Sequence, residues 1–250
     1  MCEDDRVSID DPDELAALRA AGRVVAETIR ELARRVRPGV TTGDLDDVAA
    51  RVFAAHHARS GPRLDYDFPG TVCLSIDDEA VHGIPGPRRL RDGQLIKLDV
   101  TAELDGFYAD ACRTVAVGKV RPRERRLVAA AQSALRQGLE AATAGANVGA
   151  IGAAVESEVT KRGFSVCAEL TGHGIGRRIH EPPDVPNVAW DGPTLTNGLV
   201  ITVEPIIAAG AGDVYVDDDG WTVRTEDGSP SAHAEHTIVI TEGAPILLTA

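Results

Sequence analysis

The stretch "RDGQLIKLDV", Arg91 to Val100, returns in the second half of the chain as "TNGLVITVEP", Thr196 to Pro205. The shift that lays Gly93 on Gly198 also lays Asp99 on Glu204. His82-Gly83-Ile84 is echoed by His173-Gly174-Ile175 at a somewhat different offset. A period this long excludes a solenoid of many short stacked units. Two copies, each a helix pair followed by strands, predict one pseudo-symmetric α+β domain over residues 1–250, with both strand hairpins meeting at its centre. The copies run roughly from 12 to 120 and from 121 to 250, after a short arm of about residues 1–11.

Each copy begins with helical periodicity. Leu15, Leu18, Gly22, Val25, Ile29, Leu32 and Val36 recur at alternating steps of three and four, one small-to-apolar stripe on a helix that ends at Pro38-Gly39. Thr41 or Thr42 can cap a second helix with the face Leu45, Val48, Val52 and Ala55, which Gly61-Pro62 closes. Strands are expected around Thr71 to Ile76 and Leu95 to Thr101. The second copy repeats the plan: a helix from about Glu124 to Ala142, a break at Gly145, a helix carrying Val148, Ile151, Val155 and Val159, then strands. The acidic "DVYVDDDG", Asp213 to Gly220, reads as a hairpin turn with solvated charge.

Composition narrows the partners. A net charge of −13 with scattered acids argues against nucleic acid or an anionic membrane surface. Four cysteines without a CxxC pair exclude zinc-finger chemistry and fit reduced thiols. The acidic N-terminus has no basic-then-apolar signal pattern, and no apolar run approaches the roughly 18 residues of a spanning helix, so a cytoplasmic protein is expected.

The carboxylates carry the chemistry. In "LDVTAELDGFYAD", Asp105-Gly106 is a two-residue hairpin signal; it pairs Leu104 with Phe107 and sets Asp99 opposite Cys112. Cys112 and Asp110 share a face by alternation, so Asp99 and Asp110 become diagonal neighbours with Cα atoms roughly 7–8 Å apart. One such acid is most simply solvated or ion-paired. If the face is buried, as the flanking apolar residues imply, the pair must be protonated, matched by basic groups or bound to cations. Lys97 shares the face of Asp99 one pair further from the turn, and Arg113 lies on the opposite face. Glu204 in the equivalent strand and Glu235 in the return strand "SAHAEHTIVI" make four acids on two related hairpins. His173, in "TGHGIG", adds an imidazole between glycines that let the backbone come close. Four carboxylates and one imidazole suit two small ions, Mn, Fe, Co or Zn, bridged by carboxylates about 3.5–4 Å apart.

The motifs "VCLSIDDEAVHGIP", "LIKLDVTAELDGFYADACRTVAVGK", "TGHGIGRRIHEPPDV", "ITVEPI" and "DGWTVRTEDGSPSAHAEHTIVIT", in this order, resemble the type I methionine aminopeptidases of the pita-bread metallopeptidase fold, over nearly the whole chain. The resemblance implies a central antiparallel curved sheet with two helix pairs on its outer face. It implies five ligands for two divalent ions, Asp99, Asp110, His173, Glu204 and Glu235, with Asp110 and Glu235 bridging and Asp99 on the second ion. His82 is then expected to assist proton transfer and bind at the amide, His180 to polarise the scissile carbonyl, and Glu204 to take the proton from the attacking water. Phe68, Cys73, Ile179 and Trp221 are expected around a methionine side chain. Three positions depart from many relatives: Ile179 stands where an aromatic is common, Asp65 where a tyrosine often sits, and Thr171 where a cysteine often precedes Gly-His.

The activity so implied is removal of initiator methionine from new chains when the second residue is small, by attack of a metal-bound hydroxide. A short bacterial-like form is expected, monomeric and in transient contact with the ribosome. A proline-specific peptidase of the same fold is the nearest competitor, but those relatives carry an additional N-terminal domain. A ligand-poor binding protein of this fold would be expected to have lost acids that are all present here. A two-metal phosphoesterase is disfavoured because no Arg/Lys cluster accompanies the acids.

Overall fold

The computed structural model describes Ile9 and residues 11–250. Cys2 and most of the N-terminal arm lie outside the described residues.

Helix α1 (Pro12–Ala33) starts where Asp11 accepts from the Asp13 N–H at 2.8 Å and Pro12 occupies the first turn, where no N–H is missed. Its stripe is buried from Leu18 to Leu32. Gly22 belongs to that stripe because a Cβ there would come within 2.1 Å of the Leu248 carbonyl oxygen. The helix stops at Ala33, short of Pro38-Gly39, and Val36 packs onto the same core from the following turn. The chain leaves the helix in a tightened turn, with the Arg35 and Val36 N–H groups both donating to Leu32 O. Helix α2 (Thr42–Ala55) is capped by Thr41, whose hydroxyl accepts from Asp44 N while the Asp44 carboxylate accepts from Thr41 N.

Gly61-Pro62 does not close α2. After the short strand β1 (Arg59–Ser60), it opens helix α3 (Gly61–Tyr66) with Ser60 as cap, because proline fits a first helical turn as readily as it ends one. Then come β2 (Cys73–Ile76), β3 (Glu79–Val81) and the long hairpin β4 (Leu95–Leu104) with β5 (Phe107–Ala116). The hairpin has the expected register: Leu104 faces Phe107, Asp99 faces Cys112, and Asp105 and Gly106 both take positive φ, 52° and 88°.

The second half repeats the order with α4 (Pro122–Ala141) and α5 (Gly149–Lys161), then β6 (Ser165–Val166), β7 (Gly172–Gly174) and β8 (Glu181–Val185). Its return hairpin is broken where the first is continuous. β9 (Val200–Val203) stops at Glu204-Pro205 and resumes as β10 (Ile206–Ala208), since Pro205 has no N–H to give the ladder. After β11 (Val214–Val216) and β12 (Val223–Thr225), the return strand is likewise split into β13 (Ser231–His233) and β14 (His236–Val239), before β15 (Ile246–Leu247). The acidic turn between β11 and β12 is less solvated than expected: Asp217 pairs with Arg224 at 2.5 Å, and Asp219 accepts from Trp221 N and Thr222 N.

Two large apolar cores result among the described residues, α1 and α2 against β2, β4 and β5, and α4 and α5 against β9, β10 and β13, with two smaller clusters beside them. They meet along a seam where β5 runs beside the β13–β14 strand. Asp110 N donates to Thr237 Oγ1 (2.8 Å), which donates to Asp110 O (2.7 Å). His233 N donates to Thr114 Oγ1 (2.8 Å), which donates to His233 O (2.7 Å), and Glu235 N donates to Cys112 O (3.0 Å). Hydroxyls thus replace strand pairing on both sides of the acids. Cys73, Cys112 and Cys167 are free and buried. No helix among the described residues is long and apolar enough to cross a membrane.

Candidate metal centre

All five expected ligands, both expected catalytic histidines and all four expected pocket residues line one cavity of about 290 Å3. Asp110, Glu204, Glu235 and His173 are buried and Asp99 is half-buried. His173 sits in β7, where a Cβ at Gly172 would come within 2.8 Å of Thr202 O and one at Gly174 within 2.2 Å of Pro182 O. The flanking glycines therefore let β7 close against its neighbours. His173 Nδ1 lies 2.9 Å from Gly174 O, so the ring donates there and turns an unprotonated Nε2 inward, 3.5 Å from Glu204 Oε1.

Two hydroxyls orient the acids. Thr101 Oγ1 donates to Asp110 Oδ2 at 2.7 Å, directly across the β4–β5 pair. Thr202 Oγ1 donates to Glu204 Oε1 at 2.7 Å. Asp110 Oδ1, by contrast, is buried and unpartnered. Without cations, burial above all raises the pKa of all four acids, Asp110 to about 6, and mutual repulsion among them adds to the rise at Asp99, Glu204 and Glu235. Burial and then His180 lower that of His173 to about 3. Lys97 does not neutralise the acids, because its ammonium is spent on Asp77 O (2.8 Å) and Ser231 Oγ (2.9 Å), and burial lowers its pKa to about 8.

Two sets of three residues bring ligand atoms within 4.8 Å of one another: Asp110, His173 and Glu235, and Glu204, His233 and Glu235. Repelling acids, a neutral imidazole and an orphaned carboxylate oxygen fit divalent cations, whose charge reverses the local pKa logic. The oxygen-rich donor set with imidazole excludes neither Mn nor Fe, Co or Zn.

His82 and His180 open onto the same cavity. His82 has φ 57°, a left-handed backbone rare outside glycine and often found at functional positions. His180 stacks edge-on to His173 with ring centroids 4.1 Å apart. At the apolar end, Phe68 and Trp221 meet edge to face at 5.2 Å, beside buried Cys73 and Ile179. Asp65 is not part of that wall: it accepts from Tyr108 Oη (2.9 Å) and from Ile179 N (3.2 Å), so the carboxylate fixes the loop that carries Ile179. Thr171 lines the cavity next to Gly172.

Sequence reasoning missed three contributors. Thr101 was legible, since the hairpin register that places Asp110 also sets Thr101 opposite it. His233 was legible in "HAEH", where alternation puts it on the face of Glu235. Tyr66 carried no signal; α3 brings its hydroxyl to His180 Nδ1 at 2.7 Å across the fold. A phenol donating there leaves the His180 proton on Nε2, facing the cavity. Tyr66→Phe is expected to lower kcat about ten-fold with bound metal unchanged, as for loss of an orienting partner; steady-state kinetics beside metal analysis checks this.

The model of metallopeptidase family M24 matches residues 16–242. Methionine aminopeptidase 2 of Bacillus subtilis (strain 168) is 42% identical over 240 residues, 94% of this chain and 96% of that protein. The crystal structure of methionine aminopeptidase from Rickettsia prowazekii superposes with a TM-score of 0.94 at 39% identity, covering 98% of this chain and 100% of that one. Prolidase from Pyrococcus furiosus shares the fold at 20% identity and a TM-score of 0.79, but this chain covers 66% of it.

Proposed function

The chain belongs to metallopeptidase family M24, and from that premise we infer that it removes the N-terminal methionine of peptides in a metal-dependent hydrolysis. It is an aminopeptidase of the pita-bread fold. The observation that carries the reading is the meeting, in one cavity, of an acid-rich centre with an apolar wall of Phe68, Cys73, Ile179 and Trp221. That wall suits an unbranched thioether side chain, and the acids favour a free amino terminus over a chain interior.

Asp99, Asp110, His173, Glu204 and Glu235 would hold two divalent ions, with Asp110 and Glu235 shared. Such ions, when bound, lower the pKa of water toward about 7 and act as Lewis acids on a carbonyl. The chain's own residues do the rest. Glu204 accepts the proton of the attacking water at a carboxylate oxygen while Thr202 holds that carboxylate in place. His180 donates from Nε2 to the scissile carbonyl oxygen and stabilises the tetrahedral oxyanion. His82, exposed on the cavity, binds at the amide and helps pass a proton to the leaving amine. The preference for a small second residue goes with His82, His180 and Tyr66, which line the same cavity. The proposed setting is the cytoplasm near the ribosome, where new chains carry this substrate, with the chain acting as a monomer.

The test is turnover of Met-Ala-Ser against Pro-terminated and Xaa-Pro peptides by chelator-stripped protein, with Mn, Fe, Co and Zn restored separately. Metal-dependent release of methionine alone is expected; cleavage of Xaa-Pro peptides instead would favour the proline-specific reading. Trp221→Ala removes half of the edge-to-face pair. It is expected to lower kcat/KM for Met-Ala-Ser about 10- to 200-fold, the range for lost apolar pocket contacts. The ratio to Leu-Ala-Ser should fall too, and an unchanged ratio would take Trp221 out of the pocket.

A further inference from the structure

His233 has no part in the ligand set inferred above, yet it is among the most enclosed polar side chains of the molecule, 2% exposed. Among the described residues, neither of its ring nitrogens has a hydrogen-bond partner. Burying an imidazole with both nitrogens unsatisfied costs free energy that native cores rarely concede without a ligand or ordered water to meet them. Its Nε2 faces two carboxylates, 3.5 Å from Glu235 Oε2 and 3.7 Å from Glu204 Oε2. Those separations are too long for hydrogen bonds. They match instead the spacing of donor atoms that share one small cation, each about 2.0–2.2 Å from it.

The backbone leaves the ring little choice of position. Thr114 clamps His233 at both its N–H and its carbonyl, and β10 pairs with it on the other side through Ile206. Glu204 stands between two imidazoles: Oε1 is 3.5 Å from His173 Nε2, and Oε2 is turned to His233.

We propose that His233 is a sixth metal ligand, meeting Glu204 and Glu235 at one ion of the pair, with Asp110 and Glu235 still shared by both ions and Asp99 and His173 keeping their places in the set. The inference rests on the two-ion reading of the site. The centre then offers two imidazoles instead of a single nitrogen donor. Nitrogen donors favour Zn, Co and Fe over Mn and Mg. The second imidazole therefore biases the pair toward those metals and tightens the position that carboxylates alone would hold loosely.

The test is zinc and manganese titration of the chelator-stripped full chain by calorimetry, with X-ray absorption on the zinc-loaded protein to count imidazoles, in wild type and His233→Gln. Wild type is expected to show two imidazoles shared by two zinc ions. His233→Gln is expected to show one, with the weaker zinc step loosened at least about ten-fold and the manganese step changed less. Equal zinc affinities in the two proteins, or a single imidazole in wild type, would overturn the proposal. The count on wild type needs no variant, so a poorly folding His233→Gln does not block the decision. Uptake of only one zinc by wild type would sink the two-ion reading instead. His233 is then judged by whether the variant loses an imidazole and affinity at that ion, and no loss rejects it.

Discussion

Asp110→Asn is expected to cut methionine release by about three orders of magnitude, while the protein stays folded. The side chain keeps its shape, and Thr101 Oγ1 still has an oxygen to meet at the position of Oδ2. What disappears is the negative charge and the free Oδ1, the buried oxygen without a protein partner. A bridging carboxylate serves both ions, so its loss weakens both, and metal assistance is worth several kcal/mol in the transition state. About 4 kcal/mol corresponds to about 10³-fold in rate. Packing alone cannot mimic this outcome, because the metal-free variant should be at least as heat-stable as metal-free wild type: a neutral amide relieves repulsion among the acids. Kinetics, metal analysis and a thermal melt of each stripped protein decide it. Wild-type turnover in the variant would refute the shared role of Asp110.

Metal should also stabilise the fold strongly, and more so as pH rises. Asp99, Asp110, Glu204 and Glu235 have pKa values raised in the metal-free fold, chiefly by burial. Carboxyls with folded pKa above the unfolded value hold protons in the fold that the unfolded chain has released. Their contribution is therefore complete below the ordinary carboxylate range, near pH 4, and is lost as pH climbs through the raised values, about 6 for Asp110. Buried histidines with lowered pKa, His173 and His233 to about 3, oppose this trend up to about pH 6.5, so the stripped protein should melt progressively lower from about pH 6.5 to 8. Bound cations favour the ionised acids and reverse the trend. At about a thousand times Kd, linkage supplies about 4 kcal/mol, or roughly 8–16 °C in Tm for a chain this long. Thermal melts with and without metal at pH 6.5 and pH 8 check both signs. A stripped protein that is more stable at pH 8 than at pH 6.5 would mean that the acids are not buried together as described.

Much of the site was legible because strand geometry is arithmetic. Once Asp105-Gly106 is taken as a two-residue turn, counting outward places Asp99 opposite Cys112 and Thr101 opposite Asp110, and alternation decides which residues share a face. The same parity marks Glu235 and His233 as companions. The helices followed from apolar spacing and from caps such as Thr41 with Asp44, both local features. Gly61-Pro62 was misread because a Gly-Pro pair stops one helix and starts another with equal local logic; only the packing of Phe68 and Tyr66 toward the cavity selects the start.

By itself, then, the amino-acid order determined the doubled α+β plan, the hairpin register and the set of acids that must meet, since each rests on turn chemistry, periodicity or a repeat within the chain. The tertiary structure alone decided which distant groups complete the centre. Tyr66 reaches His180 from across the fold, Asp65 anchors the Ile179 loop rather than walling the pocket, Lys97 is drawn off to Asp77 and Ser231, and Thr114 pins His233 against Glu204 and Glu235. Such contacts join side chains far apart along the chain, and their partners are set by how two packed cores dock along one seam, a relation that no local pattern encodes.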